Sequence, residues 1–172
     1  ASSAYKAQFE GLTTSDLVHS VWTMWAPPRC KFFAWLILQD RIWTLDCLSR
    51  RGWPNCGLCP LCKQTLETAA HLLYQCRYTM RIWNDVLPWL GMHHITTSTW
   101  VTRASVREWW NANLQIRLGS PKALASLMML ISWEVWLERN ARVFRNSAAP
   151  SMTIINKIKQ EVSLWVWLER NT

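Results

Sequence analysis

A chain of 172 residues, half of them hydrophobic and 14 of them tryptophan, is long enough to bury one core and short enough that one unit, residues 1–172, is expected. Its 5 glycines and 17% charged residues exclude a disordered or linker-rich protein, and no apolar run approaches the roughly 18 residues that span a bilayer. Lys and Arg outnumber Asp and Glu by 19 to 11, a formal +8 that suits a polyanionic partner, although the same excess also keeps a tryptophan-rich protein soluble.

The predicted elements are helical almost throughout. "SSAYKAQFEG" has a Ser cap and a terminal Gly11, and "TTSDLVHSVWTMWAPP" sets Leu17, Val21 and Met24 or Trp25 on one face before Pro27 and Pro28 stop it. "RCKFFAWLILQD" is apolar nearly all round and reads as a buried central helix. "TLDCLSRRG" opens on Thr44 and ends with Arg50, Arg51 and Gly52. After a cysteine-rich stretch, "YTMRIWNDVLPWLG" places Met80, Trp83 and Leu87 at helical spacing. Ser105 caps the next segment, and Ser120 with Pro121 opens one of about seven turns. The last segment carries Ile155, Ile158, Val162 and Trp165 on one stripe. No run alternates polar and apolar residues, so the expected class is all-α with a small zinc-knuckle loop. The hexapeptide "VWLERN" occurs at 135–140 and 166–171 with unmatched flanks, which reads as local reuse of a helix ending.

The stretch "NCGLCPLCKQTLETAAHLLYQC", residues 55–76, holds four of the six cysteines. The first residues lack a basic region followed by an apolar one, so an intracellular location, nucleus or cytoplasm, is expected. Thiols there stay reduced, which favours metal ligation over disulfides. The spacing Cys59-x2-Cys62-x8-His71-x4-Cys76 gives three thiolates and one imidazole, a closed tetrahedral shell for a structural zinc within a subdomain of about residues 53–78. Cys56 offers a second, overlapping C-x2-C pair with Cys59 and is an alternative to Cys62. His71 and Cys76 stand five residues apart, about 140° round an ideal helix, so the helix must unwind near Cys76. A reactive cysteine with His71 as base is the rival reading, and no third orienting group supports it. Cys30 and Cys47 fall in apolar helical patterns as small buried residues. His19, His93 and His94 have no partner at ligand spacing.

"APPRCKFFAWLILQDRIWTLDCLSRRGW", "CPLC", "ETAAHLLYQC", "RIW" and "WEVWLERNARVF" together resemble the zinc-binding domain that follows the reverse transcriptase in plant LINE-type (non-LTR) retrotransposons, or in host genes derived from them. The resemblance covers essentially the whole chain. It implies zinc on Cys59, Cys62, His71 and Cys76, engagement of RNA or DNA, and a polymerase encoded upstream. No paired aspartates or Gly-rich phosphate loop occur in the chain itself, so it is expected to be non-enzymatic.

Two basic groups are candidates for phosphate contacts. Arg41, Arg50, Arg51, Arg77 and Arg81 flank the zinc stretch. Arg139, Arg142 and Arg145, with Lys157 and Lys159, form the second; its three arginines lie within about 120° of one helix face. Ordinary solvated faces are the plainer alternative, with Glu138 and Arg142 at i, i+4. Trp22, Trp25, Trp35, Trp83, Trp133, Trp136 and Trp165 fall mostly on apolar stripes, and Trp53, beside Arg50 and Arg51, is the expected stacking platform. The alternative function is a host module that binds a protein partner, or itself, through a tryptophan-rich surface.

Overall fold

The computed structural model describes residues 21–170, with side chains through Val166. The expected first helix, Leu17 and His19 lie outside these, as do the side chains of the second VWLERN copy beyond Val166. The elements are α1 (Pro28–Leu38), α2 (Leu45–Arg50), a π-helical turn (His71–Gln75), α3 (Arg77–Trp89), a 3-10 turn (Thr97–Thr102), α4 (Val106–Leu114), α5 (Pro121–Phe144) and α6 (Ser151–Arg170). Among the described residues there is no strand, only an isolated antiparallel bridge between Leu58 and Leu66, in keeping with the expected class.

The caps read from the sequence form where the chemistry calls for them. Ser105 Oγ accepts from Glu108 N at 3.1 Å and Ser120 Oγ from Ala123 N at 3.3 Å, each satisfying a donor that the first turn leaves free. Thr44 precedes α2 as expected, but its hydroxyl donates to Asp46 Oδ1 instead of accepting from the helix.

The central helix is α5. It packs against α1, α4, α6 and the π turn, and every residue from Leu124 to Ser132 is buried. The expectation that α1 would take this place is corrected: α1 buries Cys30, Phe33, Ala34, Ile37 and Leu38, while Phe32 is exposed. A helix of 24 residues can be flanked on several sides, and one of 11 residues laid along it meets fewer neighbours, here α5 and α4, however apolar its sequence. Phe33 joins the two, with ring centroids 5.6 Å from Trp133 and 5.4 Å from Trp136.

A second group of rings ties the π turn to α3 and α4. Trp109 stacks on Tyr74 at 4.8 Å and meets the edges of Trp83 and Trp100 at 5.9 and 5.6 Å. Trp22 and Trp25 depart from the apolar-stripe reading, being about half exposed, because the backbone leaves the helix before Pro27 and the stripe that starts at Val21 is not continued.

Candidate metal centre

The segment 55–68 is built to turn tightly. Gly57 adopts φ +71°, and a Cβ there would lie 3.0 Å from Leu66 Cδ2, so a side chain would meet both backbone strain and a neighbour. Cys59 N donates to Thr65 O at 2.8 Å, and Lys63 N donates back to Cys59 O at 2.8 Å, closing the C-P-L-C knuckle and aiming Cys59 and Cys62 inward. Thr68 then starts the next helical turn, its Oγ1 accepting from His71 N at 3.0 Å.

The five-residue step from His71 to Cys76 is met by a π turn. Cys76 N donates to His71 O at 2.6 Å, a bond spanning five residues, so the two side chains come round to the same side instead of standing 140° apart. Cys76 itself is extended (ψ 132°). The break orphans carbonyls, and α3 supplies their partners: Thr79 Oγ1 donates to Leu72 O at 2.7 Å and Trp83 Nε1 to Leu73 O at 3.0 Å.

The donor atoms of Cys59, Cys62, His71 and Cys76 all lie within 4.8 Å of one another. Cys59 Sγ and Cys76 Sγ are 3.9 Å apart, and Cys62 Sγ and His71 Nε2 3.3 Å. Tetrahedral zinc with bonds of about 2.3 Å to sulfur and about 2.0 Å to nitrogen asks for roughly 3.5–3.8 Å. The set fits zinc in chemistry and spacing. Four ligands close the shell, so the ion supplies structure and presents no open position to a water. Cys56 is exposed and stands outside the group.

The electrostatics show what zinc must displace. Its hydrogen bond with Cys76 and its burial push the Cys59 thiol up to about 12. The same hydrogen bond, helped by the backbone N–H groups of Tyr78 and Thr79, lowers Cys76 against its burial. Burial raises Cys62, but the N–H groups of Gln64 and Thr65 and the His71 ring bring it below the usual thiol range. Burial lowers His71, and its bonds to Cys59 and Cys62 outweigh this, leaving it raised. Metal binding therefore expels protons from the cluster, and its affinity falls as pH falls.

Three residues fasten this centre to the helices. Glu67 is fully buried; its Oε1 accepts from Arg139 Nη2 at 2.7 Å and from Leu45 N, the start of α2, at 2.8 Å, while Oε2 accepts from Arg139 Nε at 3.1 Å. Arg142 Nη1 donates to Pro60 O at 3.2 Å and Leu61 O at 3.1 Å, the carbonyls inside the knuckle, and Nε donates to Glu138 Oε1 at 2.7 Å. Charged, bidentate bonds of this kind are the strong ones, and they hold the zinc segment on α5.

This corrects the expectation that Arg139 and Arg142 face a nucleic acid. Arg139 is 1% exposed and both guanidiniums are occupied within the fold. Lys157 pairs with Glu134 at 2.6 Å and Lys159 with Asp85 at 2.5 Å, so of that group Arg145 stands exposed with no ion pair among the described residues. Sequence reasoning passed over Glu67; its signal was a lone acid between two pairs of ligands, where a solvated face has no reason to be.

The other basic group is divided. Arg41, Arg50 and Arg51 line one cleft with Leu36, Asp40, Ile42, Trp43 and Cys47. Asp40, left-handed at φ 52°, turns the chain after α1, Thr44 N donates to Ile42 O at 3.0 Å across a tight turn at Trp43, and burial alternates: Ile42 and Thr44 are buried, Arg41 and Trp43 exposed. Arg77 and Arg81 are exposed on α3 and do not line this cleft; Arg77 Nη1 donates to Gln64 Oε1 at 3.3 Å. Trp53 is 67% exposed and is also outside it. Among the described residues no helix is long and apolar enough to cross a membrane.

Comparison with known proteins agrees with the centre. A protein of Arabidopsis thaliana named as a ribonuclease H protein is 26% identical over 131 residues, 76% of this chain. The chain spans about a fifth (20%) of that relative's length. No solved structure matches. The family model described as zinc-binding in reverse transcriptase matches residues 1–83, and both likenesses accord with a retrotransposon-related sequence. The match takes in α1, α2, the knuckle, the π turn and the start of α3, the part of the chain that carries all four ligands.

Proposed function

We propose that this chain is a zinc-stabilised nucleic-acid-binding segment of a reverse-transcriptase-related protein, that it assists engagement of an RNA or DNA template, and that it does no catalysis by itself. The observation that carries this reading is the cleft beside the zinc segment, where Arg41, Arg50 and Arg51 face a single lining carboxylate, Asp40. Zinc and the α5 arginines hold the surface rigid, so guanidiniums on it meet phosphates without first paying to order the backbone. On this reading, ribonuclease H chemistry, which the relative is named for, and reverse-transcriptase chemistry, which the family description mentions, belong to other parts of a longer protein.

The test is the affinity of the zinc-loaded protein for labelled single-stranded RNA, duplex DNA and an RNA/DNA hybrid across a salt series. Binding in about the micromolar range that falls steeply with salt is expected. Absence of binding to all three at low salt overturns the reading.

The alternative, a protein-binding host module, has one observation in its favour. An apolar hollow of about 330 Å³ lies between Trp25, Leu90, Met92, Leu127, Trp165 and Val166. Salt-indifferent self-association or partner binding would favour it.

A further inference from the structure

Resting on the nucleic-acid reading, we infer that Trp43, not Trp53, is the stacking residue of the α1–α2 cleft, and that this cleft takes an unpaired base with its phosphates, making single strands its ligand class. Trp43 is 48% exposed on the cleft wall, and the Arg51 guanidinium carbon lies 4.1 Å from its ring centroid. An indole with a guanidinium laid over it presents extended flat surface, on which any base can stack.

The ring is held in place. Its neighbours Ile42 and Thr44 are buried on either side, and Arg51 covers it from the end of α2. The charges lie beside it: Arg41 has no ion pair among the described residues, and Arg50 donates to Cys47 Sγ at 2.9 Å and meets Asp46 at 3.5 Å, an exposed pair that a phosphate can displace. Asp40 and Asp46 are the acids at or beside the cleft, against three arginines. Trp53, although more exposed, does not line the cleft with those arginines, and among the described residues no guanidinium lies over its ring. A duplex keeps its base faces inside its own stack and has phosphates alone to offer here, whereas a single strand offers both.

The experiment compares wild type, Trp43→Ala, Trp43→Phe and Trp53→Ala, all zinc-loaded, for short labelled single-stranded RNA and DNA and for a duplex of the same sequence. Trp43→Ala should weaken single-strand binding roughly tenfold, Trp43→Phe should restore most of it, and Trp53→Ala should change little. Duplex affinity should move by less than about twofold in each. Equal loss on single strand and duplex, or no loss in Trp43→Ala, overturns the assignment while leaving nucleic-acid binding intact. Absence of binding by wild type overturns the underlying reading instead. Should Trp43→Ala lose its zinc, photo-crosslinking of wild type to bromouridine-substituted RNA decides: the adduct must fall on the peptide that holds Trp43, and an adduct elsewhere refutes the inference.

Discussion

Two groups of arginines look alike in the sequence and part company in the fold. Arg139 and Arg142 on α5 face inward, closed over Glu67 and over the carbonyls of Pro60 and Leu61, whereas Arg41, Arg50 and Arg51 line an open cleft beside the same zinc segment. The first group is committed to holding the centre, and the second is left to meet something else. A basic patch is thus defined less by how many arginines it has than by which of them are already closed over a buried carboxylate or a carbonyl, whereas an exposed pair such as Arg50 with Asp46 can be exchanged.

The comparison can be broken most severely by removing the metal. Structural zinc of this type carries an apparent binding energy of about 10–16 kcal/mol that is folding energy. Chelation, or His71→Ala or Cys62→Ser, should release zinc and collapse helicity in circular dichroism, and acidification should weaken zinc binding in the same direction. Zinc and native helicity retained in either variant would refute the ligand set.

Next in size is Arg139→Leu. It leaves Glu67 buried without its partner and should cost about 3–5 kcal/mol in denaturant unfolding, while the double change Glu67→Leu with Arg139→Leu should recover much of the loss. A cost below about 1 kcal/mol in the single variant would mean that the buried pair does not hold the zinc segment. Arg142→Ala should cost less, about 1.5–3 kcal/mol, since the carbonyls it serves are part-exposed. The smallest stability effect belongs to the other group: Arg50→Gln with Arg51→Gln should stay within about 0.5 kcal/mol of wild type.

Much of the centre was legible because its chemistry is local. The ligands stand within 18 positions of one another, the five-residue step from His71 to Cys76 demanded a departure from α-helix that the π turn supplies, and Ser105, Ser120 and Pro121 mark helix starts by their own side chains. What escaped was set by distance along the chain. Arg139, Arg142 and Arg145 step along α5 like a solvated face, and the partner that draws Arg139 inward lies 72 residues earlier. Trp43 escaped for a related reason: it belongs to no helical stripe, and its place on a cleft wall depends on the reversal at Asp40 and on where α2 ends. The burial of α5 in place of α1 likewise follows from how many neighbours each helix receives, which apolarity along one segment does not specify.

The most direct test of the division between the two groups is the salt dependence of single-stranded RNA binding, measured for wild type and for Arg50→Gln/Arg51→Gln. With about 0.7 of slope per neutralised phosphate on a single strand, three open arginines give a log–log slope of at least about −2, and losing two of them should flatten it by about 1.4 with the melting temperature unchanged. An unchanged slope in the double variant would contradict the account and take the α1–α2 cleft out of nucleic-acid binding.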